Sequence, residues 1–331
     1  MKIAINGFGR IGRQVLRICL DDAAAPEIVH VNDIADPATL AHLLKYDSTY
    51  GVWDREVTAD ESSLIVDGRG IRITSEEDPG KLPWRDAGVE VVLEASGVFR
   101  DRDQARRHLD AGARKVLISA PGKSPLDGDF VIGVNHEAYD PESHDIISIG
   151  SCTTNCLAPM AKVLHDEFTI LRGLMTTVHA YTSTQNLLDG PHKDLRRARS
   201  AAENIIPTST GAAETIGKVI PDLQGKLDGM ALRVPLACGS ITDFTCVVDK
   251  ETSIEEVNQA MGRHAQGSMR GVLQIAPAPI VSRDVIGNPH SCVLSADDTF
   301  VQDGTLVKVL GWYDNEWGFS RRTVEMMSRM L

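Results

Sequence analysis

The segment Ser151-Cys152-Thr153-Thr154-Asn155-Cys156 lies between a strand-like run and a helix-like one. Cys152 is therefore expected at a helix N-terminus and at the carboxyl end of a sheet, where the helix dipole favours the nucleophilic thiolate and where ligands of open α/β sheets bind. Taken alone, Cys152 reads equally well as a small buried hydrophobe, as most free cysteines are. Cys156, one helical turn on, reads as packing, and these two thiols lack the further ligands a metal site needs. His179 closes the apolar run Leu174 to Val178. From a strand terminus it could meet Cys152 across a domain junction and serve as a general base, although one histidine among ten is more often structural.

A second set of residues suits an anionic dinucleotide. Gly7-Phe8-Gly9-Arg10-Ile11-Gly12 follows a short apolar run and opens a helical pattern, and Asp33 comes 21 positions after the last of these glycines. Gly7 suits a tight turn, Gly9 a close backbone approach to pyrophosphate, and Gly12 close helix packing, with the phosphates at a helix N-terminus. Asp33 is placed to accept hydrogen bonds from the adenosine ribose, and its charge opposes a 2′-phosphate, which favours NAD over NADP. The run His192 to Arg199 is the densest basic cluster, and Arg233 is a separate cation. Both read as anion sites or, for the run, as a solvated loop or interface. Ser209-Thr210-Gly211-Ala212 offers hydroxyl and backbone donors at a helix start.

The elements that must position these residues fall into two halves. From 1 to about 150, short apolar runs (Lys2 to Asn6, Ile28 to Asn32, Val89 to Ala95, Lys115 to Ser119, Ile146 to Ile149) alternate with amphipathic segments, the pattern of a doubly wound, mostly parallel α/β sheet. A helix is expected from Asp101 to Ala111, with Gly112 as its C-cap. Beyond Ser151, a helix from Thr153 to Phe168 aligns Leu157, Met160, Leu164 and Phe168 on one stripe. Longer β-rich stretches follow at Leu174 to Tyr181, Ala231 to Val248, Gly271 to Val281, His290 to Leu294 and Leu306 to Trp312, with helices at 211 to 219 and 253 to 267. This second half reads as α+β, and Trp317 to Leu331 as a closing helix. Domains at 1–150 and 151–315 are expected, the helix at about 316–331 packing back on the first.

The chain has 331 residues, enough for a substantial core, and a net charge of −12 that disfavours nucleic acid as the main partner. No apolar run approaches the roughly 18 residues that span a bilayer, so no membrane partner is expected. The six cysteines include no Cys-x-x-Cys pair, and the opening Met-Lys-Ile-Ala-Ile-Asn-Gly lacks the character of a signal peptide. No metal and a cytoplasmic location with reduced thiols are expected.

In combination these segments resemble the phosphorylating glyceraldehyde-3-phosphate dehydrogenase family. Asn6 to Arg13, Lys45 to Ser48, Ser119 to Lys123, Ser151 to Pro159, Thr208 to Ala213 and Trp312 to Gly318 match in family order, over essentially the whole chain. The resemblance implies a Rossmann-type NAD-binding domain and an α+β catalytic domain with a mixed, largely antiparallel sheet. It implies Cys152 as the nucleophile that gives a thiohemiacetal and then a thioester, and His179 as base. Glyceraldehyde 3-phosphate and inorganic phosphate are the implied reactants, in glycolysis or gluconeogenesis. Thr182, Arg197 and Arg233 would hold the substrate phosphate; Ser151, Thr153, Thr210 and Gly211 the attacking phosphate. Gly7, Gly9, Gly12, Arg10, Ile11, Asp33, Ser119 and Asn315 match NAD-contacting positions. The family also implies a homotetramer, with the loop at 181 to 203 near a neighbouring subunit's cofactor. Glu77, Ile149-Gly150, Gly190 and Leu236 to Gly239 depart from common family residues. An erythrose-4-phosphate dehydrogenase shares fold, cysteine and cofactor, but typically differs at Trp312 to Asn315 and Ser209 to Gly211. A non-catalytic NAD-binding redox sensor is the reading from another class.

Overall fold

The computed structural model describes residues 1–331, which divide into two compact units. The first comprises Met1–Phe130, His136–Gly150 and Ser320–Leu331; the second Val131–Asn135 and Ser151–Phe319.

The first unit is built on a nine-stranded sheet. In spatial order its central strands are Lys115–Ile118, Val91–Glu94, Lys2–Asn6, Glu27–Asn32 and Arg69–Thr74, all parallel. Ser63–Val66 and Val57–Ala59 extend one edge antiparallel, and Ile146–Ser148 and Gly128–Asp129 extend the other in parallel. The chain leaves Lys2–Asn6 toward one side and later returns to fill the other, so the strand order reverses there. That is the topological switch point at which doubly wound sheets bind ligands. Ile3, Ala4, Ile5, Val91, Val92 and Leu93 are all fully buried, as expected of parallel strands covered on both faces.

The helix Arg10–Asp21 follows the first strand and buries Val15, Leu16 and Ile18. Arg102–Asp110 starts where Asp101 caps it by accepting from the Asp103 N–H at 3.0 Å, and ends at Ala111 with Gly112 one place beyond. Within this unit the carboxyl-terminal segment is tied by Arg321 to Asp22 at 2.8 Å and by the Tyr139 hydroxyl donating to Met330 O at 3.1 Å.

The second unit carries an eight-stranded mixed sheet. Ile206–Ser209, Leu227–Val234, Ile170–Ala180, Ser240–Val248, Leu306–Tyr313, Cys292–Leu294 and Leu273–Ile275 follow one another across it, with Phe300–Gln302 pairing on Leu306–Tyr313. Ile170–Ala180 is parallel to Leu227–Val234 and antiparallel to Ser240–Val248. The long helix Cys152–Phe168 starts one residue earlier than the sequence pattern indicates and buries the expected stripe of Leu157, Met160, Leu164 and Phe168.

Two β-rich stretches are shorter than their composition suggests. Ala231 to Val248 is two strands, Leu227–Val234 and Ser240–Val248, interrupted at Pro235, which has no N–H for the ladder. In Gly271 to Val281 only Leu273–Ile275 pairs, because Pro277 and Pro279 remove two donors just beyond it.

All six cysteines are free thiols; Cys152 is half-buried and the other five are buried. No helix is long and apolar enough to cross a membrane.

Candidate active site

Cys152 is the first residue of the helix Cys152–Phe168, and Ser151 is its N-cap, with Oγ accepting from the Thr154 N–H at 3.0 Å. The cap fixes the first turn and so the direction of the Cys152 side chain. His179 is the penultimate residue of Ile170–Ala180 and is buried. Its Nε2 lies 3.3 Å from Cys152 Sγ. Both residues belong to the second unit, so they meet within one compact body and not across a junction.

The far side of the imidazole determines what Nε2 can do. Nδ1 is 2.6 Å from the Ala180 carbonyl oxygen, which can only accept, and also faces the Arg233 guanidinium, which can only donate, so it is held between an acceptor and a donor while Nε2 turns toward the thiol. Arg233, on Leu227–Val234, is paired in register with His179; its Nη1 donates to the same carbonyl at 3.0 Å and lies against Nδ1. Burial, reinforced by the Arg233 charge, pushes His179 down to about 3, and burial pushes the Cys152 thiol up to about 11, with Arg233 and the Thr153 N–H and hydroxyl pulling it back. Both shifts favour the neutral thiol and the neutral imidazole: desolvation outweighs the helix N-terminus, which the sequence suggests would favour thiolate.

Tyr313 packs its ring against His179 with centroids 5.9 Å apart. Its hydroxyl joins the Thr153 hydroxyl at 3.0 Å and the Thr177 hydroxyl at 2.7 Å. It thus couples the first turn of the cysteine helix to the strand that ends in His179. Sequence reading placed Tyr313 only inside a matching segment and gave it no role; its partners lie 160 and 136 positions away, beyond any local signal.

Arg197 donates from Nε to the Thr208 hydroxyl at 2.7 Å and lies 3.8 Å from Asp194. Its charge is felt at Arg233, where it adds to the burial that lowers that guanidinium's pKa. Two cations held within each other's field favour an anion beside them. Thr208 and Asp194, which orient Arg197, were not singled out from sequence. The Thr182 hydroxyl meets Thr184 at 3.0 Å; the Thr210 hydroxyl accepts from the Ala212 N–H at 3.2 Å, and Gly211 is the N-cap of the helix Ala212–Val219.

In the first unit, Gly7 has φ +94° and sits so close to Ser96 that a Cβ would lie 2.3 Å from its nitrogen. A Cβ on Gly12 would meet Gly7 O at 2.4 Å, whereas one on Gly9 would point into open space. Gly9 is the N-cap of Arg10–Asp21 and supplies no side-chain cap, so the helix N-terminus is open to an anion. Asp33 accepts from the Phe8 N–H at 2.6 Å and from the Ala35 N–H at 3.0 Å, which places a carboxylate beside the glycine turn. This cradle fits a dinucleotide. Arg10 is engaged by Asp47 at 2.5 Å, and Ile11 is half-buried in the same helical turn. Burial works to raise the Asp47 carboxyl, but hydrogen bonds from Arg10 and the Tyr50 and Thr49 N–H groups prevail and hold it below the usual carboxylate range. Ser119 donates from N and Oγ to Glu94 O at 3.0 and 3.1 Å. Asn315, in the second unit, accepts from the Gly239 N–H at 3.1 Å and the Ser240 hydroxyl at 3.0 Å. No group of three or more His, Cys, Asp or Glu side chains gathers in a form that would hold a metal.

A dinucleotide cradle on a doubly wound sheet, together with a thiol facing an imidazole beside clustered guanidiniums, marks the class as a dinucleotide-dependent oxidoreductase. The NAD binding domain model of glyceraldehyde 3-phosphate dehydrogenase matches residues 1–102, and the C-terminal domain model of the same enzyme matches residues 151–315. The chain is 53% identical over 326 residues to glyceraldehyde-3-phosphate dehydrogenase 1 of Streptomyces avermitilis, covering 98% of this chain and 97% of the relative. It is 52% identical to the glyceraldehyde-3-phosphate dehydrogenase of Geobacillus stearothermophilus and to glyceraldehyde-3-phosphate dehydrogenase 1 of Bacillus subtilis, with the same coverage. The chain belongs to the glyceraldehyde 3-phosphate dehydrogenase family.

Proposed function

We propose that this chain catalyses the reversible, NAD-dependent phosphorylating oxidation of D-glyceraldehyde 3-phosphate to 1,3-bisphosphoglycerate. The observation that carries the reading is the Cys152 Sγ to His179 Nε2 distance of 3.3 Å, with Nδ1 anchored on Ala180 O.

Sγ attacks the aldehyde carbon, and His179 Nε2 carries the thiol proton to the forming alkoxide, giving a thiohemiacetal. His179 then takes the hydroxyl proton as that carbon is oxidised to the thioester. Bound NAD supplies the hydride acceptor. Inorganic phosphate attacks the thioester carbonyl, the C–S bond breaks, and the departing sulfur regains a proton. Splitting the reaction at a covalent thioester conserves the energy of oxidation for the acyl phosphate. Arg233, Arg197 and Thr182 are assigned to the substrate phosphate; Ser151, Thr153, Thr210 and Gly211 to the attacking one. Gly7, Gly9, Arg10, Ile11, Gly12, Asp33 and Ser119 are assigned to NAD, with Asn315 from the second unit. The domain roles follow, residues 1–150 holding the dinucleotide and 151–315 the chemistry.

A homotetramer and a cytoplasmic location complete the reading. The exposed Leu187, Leu188 and Leu195 in the loop at 181 to 203 support burial against a second copy, since large apolar side chains clustered at a surface favour association; light scattering on the purified chain tests it. The activity is tested by following NADH formation with glyceraldehyde 3-phosphate or erythrose 4-phosphate, with and without phosphate, and with NADP replacing NAD. Phosphate-dependent NADH production fastest with the triose is expected. Preference for the tetrose, or NAD binding with no turnover, overturns it.

A further inference from the structure

At the carboxyl edge of the first unit's sheet, four neighbouring strands end on polar residues that face one another in register. Glu94 ends Val91–Glu94 and pairs with Asn6, Asn6 ends Lys2–Asn6 and pairs with Asn32, and Asn32 ends Glu27–Asn32 and pairs with Thr74, the last residue of Arg69–Thr74. Their side chains are joined in a line. Thr74 Oγ1 and the Glu76 N–H both donate to Asn32 Oδ1, at 2.8 and 2.9 Å. Asn32 Nδ2 donates to Asn6 Oδ1 at 2.8 Å, and Asn6 Nδ2 donates to Glu94 Oε2 at 2.6 Å.

From the other side, the Trp84 indole N–H donates to His108 Nδ1 at 3.0 Å, so the His108 proton is on Nε2, which meets Glu94 Oε2 at 3.0 Å. The indole N–H and the backbone N–H of Glu76 can only donate, so they fix the direction of every bond between them. Both arms run toward Glu94, whose side chain is fully buried. Its other oxygen accepts from the Ser96 N–H at 2.9 Å and from the Ser96 hydroxyl. Glu94 is thus the acceptor of four donors.

Three of those donors come from the two residues that flank the glycine turn. Asn6 immediately precedes Gly7, and Ser96 is the residue against which Gly7 packs. We propose that Glu94 is a positioning residue for NAD: it accepts from both walls of the Gly7 turn and holds the turn in the shape that receives the dinucleotide. The inference rests on the NAD reading above, and Glu94 itself is assigned no contact with the cofactor. An amide cannot replace the carboxylate. Its NH2 would face either the Ser96 N–H or the donors of Asn6 and His108, and neither side can reverse, because the fixed donors at the two ends hold the line.

The test is NAD binding to the full chain by calorimetry, alongside its thermal midpoint and the rate at which iodoacetamide alkylates Cys152. Glu94→Gln is expected to raise the NAD Kd at least tenfold at a temperature where the variant is fully folded, with the alkylation rate within twofold of the parent. Asn6→Ala, which cuts one arm without altering charge, is expected to raise Kd three- to tenfold and serves if Glu94→Gln does not fold. A lowered midpoint with NAD Kd within twofold of the parent, in whichever variant folds, makes the belt merely structural and overturns the inference alone. A parent chain that binds no NAD overturns the NAD reading and the inference together.

Discussion

His179 and Arg233 stand opposite each other on adjacent parallel strands, and both reach the carbonyl oxygen of Ala180. One acceptor therefore gathers the imidazole and a guanidinium side by side. Arg233 acts on two groups at once, disfavouring an imidazolium at His179 and favouring a thiolate at Cys152. Arg233→Gln should slow alkylation of Cys152 by iodoacetamide at neutral pH severalfold and raise the KM for the phosphorylated aldehyde at least tenfold. Unchanged values for both would remove Arg233 from the site.

Replacing His179 by Asn keeps a polar side chain but loses the basic Nε2 facing Sγ. The kcat for NADH formation should drop about 10²- to 10⁴-fold, while NAD binding measured by calorimetry stays as in the parent. Cys152→Ser should remove turnover and leave NAD binding intact; residual phosphate-dependent turnover near the parental rate would exclude the thioester route.

Tyr313 reaches Thr153 and Thr177 through one hydroxyl. Tyr313→Phe removes the hydroxyl that joins Thr153 and Thr177, though Thr177 still donates to Ile241 O at 3.2 Å, and the lost hydrogen bonding costs about 1 kcal/mol. Urea denaturation should show that loss, with a smaller effect on kcat because the ring against His179 remains.

How far these features could be read from sequence depended on whether their partners were local. The glycine turn, Asp33 and the cysteine helix with its serine cap are written in contiguous residues, and the period-two and 3.6-residue patterns around them located most of the strands and helices. The break at Pro235 and the short strand before Pro277 were hidden by apolar, β-rich composition, although proline's missing donor was there to be weighed. Tyr313, Thr177 and the Asp194–Thr208 support of Arg197 depend on tertiary pairing. The line of bonds converging on Glu94 depends on strand order and register, which hydrophobic periodicity does not encode.

Asp33 lies against the Phe8 N–H, beside the glycine turn. Asp33→Ser removes the charge that opposes a 2′-phosphate and weakens ribose binding. Initial rates should show kcat/KM for NAD falling at least tenfold and the NADP-to-NAD ratio rising; a constant ratio would place cofactor choice elsewhere.

His30 is fully buried, and burial followed by the Arg72 charge pushes it down to about 4 from 6.5. The folded chain resists the proton that the unfolded chain accepts, so the contribution is complete above pH 6.5 and is lost as pH falls toward 4. The loss amounts to roughly 3 kcal/mol at this site, and His179 adds to it in the same direction, down to about 3. Thermal midpoints should fall across this range, and less steeply in His30→Gln. A midpoint flat from pH 7 to 4 would contradict the buried neutral histidines.

Of the six free thiols Cys152 alone is half-buried, while the other five are buried and at most 8% exposed. To a water-soluble electrophile the native chain is therefore a one-thiol protein, and the unfolded chain a six-thiol one. Labelling stoichiometry alone then counts native and unfolded molecules in a mixture, and a single dye can be placed at the reacting carbon's partner without engineering away any other cysteine.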